Sequence, residues 1–333
     1  MRRALRRLSF IALVAIGVTT ARRVLQRRAV FQEKVAPDLQ SPILYALPSL
    51  RSDRGLAVMR RMSVLVNPPL PEGAREETTP EGIRVLVYEP PVRSHPSGAL
   101  LWIHGGGMVL GRPEQGHLEC THLAREAGVL VVSVDYRLAP EHPFPAGLDD
   151  CCSVLRWIER EASALGVDRA RIAVGGDSAG GGLAAAVAQR AHDEGGPPLA
   201  LQLLVYPMID DRTVLRTDLD PDGVYLWSPA SNRYGWTAYL GHAPTVADAR
   251  PYAAPARRTD LSGLAPAWIG VGDLDLFHDE DVDYARRLDQ AGVPCELYVA
   301  PGMWHGAPSM LPSAPTTAAM RDSMTDAVRK AVG

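Results

Sequence analysis

The stretch RIAVGGDSAGGGLAAAV, residues 171–187, forces a sharp change of direction on the chain. Ile172-Ala173-Val174 reads as a short buried strand, and Ala184 to Ala188 as a helix of strong helix formers. A chain that leaves a strand and enters a helix within about four residues must turn tightly. Gly176 and Gly180 flank Ser178 in a Gly-x-Ser-x-Gly pattern, and residues without a Cβ let neighbouring backbone approach closely. The serine is pushed into the open, in front of a helix N-terminus with free N–H groups and a positive dipole end. Taken alone, the pattern fits equally well a glycine-rich turn with no chemistry, so its surroundings decide.

Those surroundings alternate. IRVLVYEP, GALLWIHGGG, GVLVVSVDYR, RIAVGGDS, LALQLLVYP, APAWIGVGD and VPCELYVAPG read as strands from Ile83 onward. Helical patterns lie between or after them at Gln115–Ala127, Ala146–Leu165, Ala179–Glu194, Asp279–Ala291 and Thr316–Val332. Apolar strands alternating with helices predict an α/β fold, a parallel sheet covered on both faces, with functional groups at the carboxyl ends of the strands. Residues 29–75 carry apolar faces broken by prolines, without strand alternation. From Met208 to Ala265 the βα rhythm fails over a stretch far longer than the usual connection of about 2–6 residues. Its aromatic-rich DGVYLWSPASNRYGWTAYLG reads as part of a lid.

Composition narrows the class. The 333 residues are 46% hydrophobic and 22% charged, ordinary for a globular chain of this size. A net charge of −3 gives no support for a nucleic-acid partner. Cys120, Cys151, Cys152 and Cys295 form no metal pattern and read as reduced thiols. No G-x-G-x-x-G or G-K-[ST] occurs, which excludes the common nucleotide folds. The N-terminus begins with four arginines, an apolar run from Leu8 to Ala21 and four more arginines. Fourteen helical residues reach roughly 21 Å, short of a ~30 Å hydrocarbon core. Three readings of residues 1–28 stay open: a membrane-associated anchor with snorkelling arginines, a cytosolic arm, or a cleaved signal disfavoured by its basic downstream flank. Location follows as membrane-associated or cytoplasmic, with secretion third.

A serine hydroxyl needs a base to take its proton. At the end of ELYVAPG, the loop MWHGAP puts His305 between Gly302 and Gly306. At the end of APAWIGVG, DLDLFHDED offers Asp273 and Asp275 as the acid, and spacing does not separate them. Asp279 reads as a first-turn helix acid. The chain order serine, acid, histidine suits a strand-ordered hydrolase site. HGGG, His104 to Gly107, ends a third strand. Its glycines can turn backbone N–H groups toward an oxyanion, joined by the N–H of the residue after the serine, Ala179. His104 itself reads as a structural hydrogen-bonding residue.

Together, HGGG, DYRLAPEHPFPA, GDSAGG, DLDLFHDE and PGMWHG resemble the hormone-sensitive-lipase-like branch of the α/β-hydrolase esterases, over residues 75–333. The resemblance implies an α/β-hydrolase fold: a mostly parallel eight-stranded sheet, helices on both faces and a helical cap. It favours Asp275, the first aspartate of the branch's D-x-[LF]-x-D-E pattern, over Asp273. It implies an oxyanion hole of Gly106, Gly107 and Ala179, and a structural role for RLAPEHPFPA. Its cap would come from residues 29–75 and 208–250, with the catalytic domain spanning 76–333. Tyr225, Leu226 and Trp227 are candidates for the substrate pocket or for plain cap packing.

The function expected is hydrolysis of short- to medium-chain carboxylic esters through an acyl-enzyme, catalysed by Ser178, His305 and Asp275, with no cofactor or metal. A serine amidase or peptidase on the same fold is the first rival. A non-catalytic small-molecule receptor is the second, disfavoured because receptor relatives in this branch lack the histidine. The partners expected are a small ester, a membrane surface through residues 1–28 and a second copy as a homodimer.

Overall fold

A computed structural model of the chain describes residues 31–41, 44, 49–65, 68–219, 225–248 and 250–333. The readings of residues 1–28 lie outside the described residues. No helix among those described is long and apolar enough to cross a membrane.

Eight strands form one sheet: β1 (Ala74–Thr78), β2 (Arg84–Tyr88), β3 (Ser97–Ile103), β4 (Leu130–Val134), β5 (Val167–Asp177), β6 (Leu199–Val205), β7 (Ala267–Gly272) and β8 (Cys295–Ala300). Their order is β1-β2-β4-β3-β5-β6-β7-β8. β1 pairs antiparallel with β2, and β2 with β4. Every pair from β4 across to β8 is parallel. The seven predicted strands all form. β1 is additional: AREET has no apolar alternation, and most of it is exposed at the sheet edge. Its partner strand and not its own pattern makes it a strand.

Among the described residues, the helices longer than two turns are α1 (Asp53–Leu65), α2 (His117–Ala127), α3 (Ala146–Arg160), α4 (Ala179–Asp193), α5 (Pro229–Leu240), α6 (His278–Gln290) and α7 (Pro315–Val332). The helix expected over 146–165 breaks at Glu161, and a further turn, Ala162–Leu165, ends on left-handed Gly166. The helix expected from Gln115 starts at His117, after a 3-10 turn at Pro113–Gly116. In the aromatic-rich insertion, α5 is capped by the Ser228 hydroxyl, which accepts the N–H of Ser231, and has Pro229 at its first position.

Both sheet faces are buried, as a parallel sheet requires. Successive residues of β3 alternate between two cores. Leu101 and Ile103 pack with Val174 and Leu204 on the face that carries α3 and α4. Leu100 and Trp102 pack with Ala173, Leu203 and Val205 on the face that carries α2 and α7. The four cysteines are unpaired, and Cys120, Cys151 and Cys152 are buried.

Two helices outside the sheet layers lie over the loop after β3. The Leu50 N–H donates to Ser231 Oγ at 2.9 Å, and Tyr234 OH to Asp53 Oδ1 at 2.7 Å, joining the α1 region to α5. Arg60 of α1 donates to the carbonyls of Val109 (2.9 Å) and Ala139 (2.8 Å) and pairs with Glu141. The RLAPEHPFPA loop is therefore held from above, and Arg137 at its start also pairs with Asp150 of α3 at 2.8 Å.

Leu101 is fully buried in the central strand. Leu101→Ala is expected to lower unfolding stability by about 2–5 kcal/mol, read by denaturant titration.

Candidate active site

The turn after β5 is built as the glycine spacing requires. Ser178 has φ 55° and ψ −120°, a left-handed conformation rare for a residue with a side chain. A Cβ on Gly176 would lie 2.3 Å from the carbonyl oxygen of Ile103, and one on Gly180 only 2.0 Å from the same atom. Both positions must be glycine for β3 and α4 to approach. Three backbone hydrogen bonds hold the strained residue: Ser178 N–H to Val205 O at 2.8 Å, and Gly182 and Met208 N–H to Ser178 O at 3.0 and 2.9 Å. Serine is a favoured helix cap, yet the Ser178 side chain caps nothing.

That hydroxyl instead meets His305 Nε2 at 2.9 Å, across 127 residues of chain. His305 Nδ1 lies 2.8 Å from Asp275 Oδ2. With the proton on Nδ1 donated to the carboxylate, Nε2 presents its lone pair to the hydroxyl. Tyr206 and Phe277 meet the imidazole edge-on at 4.9 and 5.1 Å between ring centres. The Asp275 side chain is wholly buried, and its other oxygen accepts the N–H of Phe277 at 2.9 Å. The two aspartates that spacing left equal are separated by geometry. Asp273 is exposed and accepts the N–H of Gly302 at 2.7 Å, tying the β7 loop to the loop that carries His305. Asp279 lies in the first turn of α6, paired with Arg216.

Among the described residues, no hydrogen bond engages the N–H of Gly106, Gly107 or Ala179. Gly106 and Gly107 have φ of 123° and 62°, and Ala179 opens α4. The loop carrying the two glycines is fastened by Gly105, whose N–H donates to Asp177 Oδ1 at 2.9 Å. Burial pushes the Asp177 carboxyl up to about 6. Asp177 was not singled out from sequence, although it precedes Ser178 directly. His104 is held locally: its Nδ1 donates to the carbonyl of Gly105 at 2.8 Å, and its ring stacks on Tyr136 with centres 4.4 Å apart.

A cavity of about 750 Å³ opens onto Ser178 and His305, within the usual range of about 300–1,000 Å³ for small-molecule sites. Leu226 and Trp227 line it, and the Trp227 ring lies so close over Gly107 that a Cβ there would sit 2.2 Å from it. Tyr225 is not part of the lining. It is buried against Phe31, with ring centres 5.2 Å apart, so that candidate pocket residue packs inward instead.

Residues 100–309 match a family model of the alpha/beta hydrolase fold. The carboxylesterase NlhH of Mycobacterium tuberculosis is 42% identical over 265 residues, 76% of this chain and 82% of that protein. The esterase LipI of the same species is 38% identical over 275 residues, 79% and 85% of the two chains. Among solved structures, a bacterial heroin esterase superposes with a TM-score of 0.81 at 36% identity, covering 90% of this chain and 99% of the other. The chain belongs to the α/β-hydrolase family, in its hormone-sensitive-lipase-like esterase branch.

Two outcomes follow from the turn and its support. Gly180→Ala is expected to yield little folded protein, or protein with a strongly lowered melting temperature, since the clash is with backbone. Asp177→Asn keeps an acceptor for Gly105 and removes a carboxylate that is costly to bury when ionised. Because the folded value lies above the unfolded ~3.8, the wild type loses stability as pH rises from about 4 to about 6. Asp177→Asn should therefore melt higher than wild type at pH 7, and the gap should close as pH falls through that window.

Proposed function

We propose that this chain hydrolyses carboxylic esters by serine acyl transfer. Ser178 Oγ attacks the ester carbonyl while His305 Nε2 takes its proton. Asp275 holds the imidazole in the required tautomer and stabilises its positive form. The N–H groups of Gly106, Gly107 and Ala179 receive the oxyanion. His305 then gives its proton to the leaving alcohol, and the acyl group stays on Ser178. Water repeats the sequence, activated by His305, releasing the acid and restoring the hydroxyl.

One observation carries the reading: a strained, uncapping serine hydroxyl stands 2.9 Å from an imidazole whose other nitrogen meets a buried carboxylate at 2.8 Å. It is supported by kinship with proteins named carboxylesterase, esterase and heroin esterase. The cavity volume fits short- to medium-chain acyl esters. Residues 29–75 and 208–250 act as a two-part cap on the catalytic domain. The contacts of α1 and α5 with each other, and of Trp227 with Gly107, support that division.

The decisive experiment is steady-state hydrolysis of p-nitrophenyl esters of increasing chain length, with the matching anilides alongside. Ser178→Ala should lose roughly 10⁴-fold or more in kcat on the ester, and organophosphonate labelling should vanish with it. Turnover retained by Ser178→Ala, or anilides cleaved as fast as esters, would overturn the reading. Asp275→Asn should cost far more kcat than Asp273→Asn. Asp273→Asn keeps an oxygen for the Gly302 N–H, so its effect should be confined to stability.

A further inference from the structure

The cavity does not end at Ser178. On the sheet face that carries α2 and α7 it continues to a second group of lining residues, among them Trp102, Gly116, Glu119 and Arg321. Met320 and Met324 of α7 form apolar wall there. At this end the wall turns polar. Arg321 Nε donates to Glu119 Oε2 at 3.2 Å, and Arg321 Nη1 to the carbonyl of Pro312 at 2.9 Å. Among the described residues, Trp102 Nε1, Glu119 Oε1 and Arg321 Nη2 lack a hydrogen-bond partner here, as do His104 Nε2, Glu114 Oε2 and His117 Nε2 elsewhere on the same lining. Trp102 is 2% exposed. Gly116 leaves room beside its N–H, since a Cβ there would stand 3.3 Å from Trp102 Nε1.

Both charged residues break an apolar stripe. Glu119 precedes buried Leu123 by one helical turn, and Arg321 lies between buried Met320 and Met324. Burial drives the Glu119 carboxyl upward from its ordinary value. Glu119 and Arg321 keep 20% and 13% of their side-chain surface exposed, and an apolar pair of similar volume often holds two helices together as well as an ion pair taken largely out of water. Structural packing therefore does not explain polar atoms left unpaired, which cost free energy unless something meets them.

Where α2 meets α7, the unpaired atoms of the Trp102–Glu119–Arg321 cluster are two donors, from Trp102 and Arg321, and one acceptor, from Glu119. A hydroxyl group offers the complement: two acceptor lone pairs and one donor proton. The Glu119–Arg321 pair is neutral as a whole, which disfavours a ligand with net charge. We propose that this inner arm of the cavity is a specificity site for a hydroxyl group carried by the ester, so that the preferred substrates are esters with an alcohol function remote from the scissile carbonyl. This inference rests on ester hydrolysis at Ser178.

The test compares matched esters within each protein. One series sets p-nitrophenyl alkanoates of four to eight carbons against their ω-hydroxy counterparts. The other sets alkyl butyrates against ω-hydroxyalkyl butyrates, which places the hydroxyl on the alcohol side. In at least one series, at one chain length, wild type should prefer the hydroxylated member by roughly 10- to 100-fold in kcat/KM, the effect of hydrogen bonds to charged partners. In Glu119→Leu/Arg321→Met, which leaves no lone buried charge, that ratio should fall to about one. Trp102→Phe should reduce it, and Glu119→Gln, which keeps an acceptor, should preserve much of it. Absence of a preference at every length in both series, a ratio unchanged in the double variant, or a stronger preference for ω-carboxylate esters would each overturn the assignment. If wild type turned over no member of either series, the ester-hydrolase reading itself would fail instead.

Discussion

One carbonyl oxygen organises this molecule. The oxygen of Ile103, at the end of β3, sits in a notch left by two missing side chains, those of Gly176 and Gly180. The notch lets the helix after β5 start directly against the neighbouring strand. It sets the strained serine between them and the HGGG loop at its side. Because β3, β5, β7 and β8 run parallel, the groups that follow them emerge at one edge of the sheet. The strain at Ser178 is tolerated because three backbone hydrogen bonds and the close packing over-determine it.

Around that edge, polarity is distributed unevenly. Asp275 is buried with the imidazole and one backbone N–H as its partners, so its charge is directed at His305. Asp273, two residues earlier, remains in solvent and braces the loop beneath the same histidine. Asp177 fastens the glycine loop through Gly105. Three carboxylates at the carboxyl ends of β5 and β7 thus do three different things, and burial together with partner, more than residue type, distinguishes them.

Much of this was legible in the sequence, for particular reasons. Strands buried on both faces, such as β3 and β4, announce themselves as continuous apolar runs, and all seven predicted strands formed, including the half-exposed edge strand β8. β1 was not legible, since a polar edge strand takes its conformation from its neighbour. Ser178, His305 and the glycine loop were ambiguous one by one and stood out together, because they end separate strands in the order a hydrolase site needs. Asp275 and Asp273 were equal in spacing, and only the resemblance favoured the one that meets the histidine. Tyr225 was grouped with Leu226 and Trp227 by adjacency alone, and adjacent residues on an irregular segment need not face the same way. Trp102, Glu119 and Arg321 come from three separate elements, and no local pattern unites them. Their trace in the sequence is a charge on an otherwise apolar helical stripe, at 119 and again at 321.

The contact between Trp227 and Gly107 has a consequence for anyone reshaping the entrance. The indole rests on the glycine so closely that the loop proposed to offer amide hydrogens to an oxyanion is also the floor on which Trp227 lies. The proposed cap and the proposed anion cradle therefore share one surface. Trimming the tryptophan to admit bulkier molecules would also release the backbone beneath it, so access and rate are mechanically linked and would have to be tuned together.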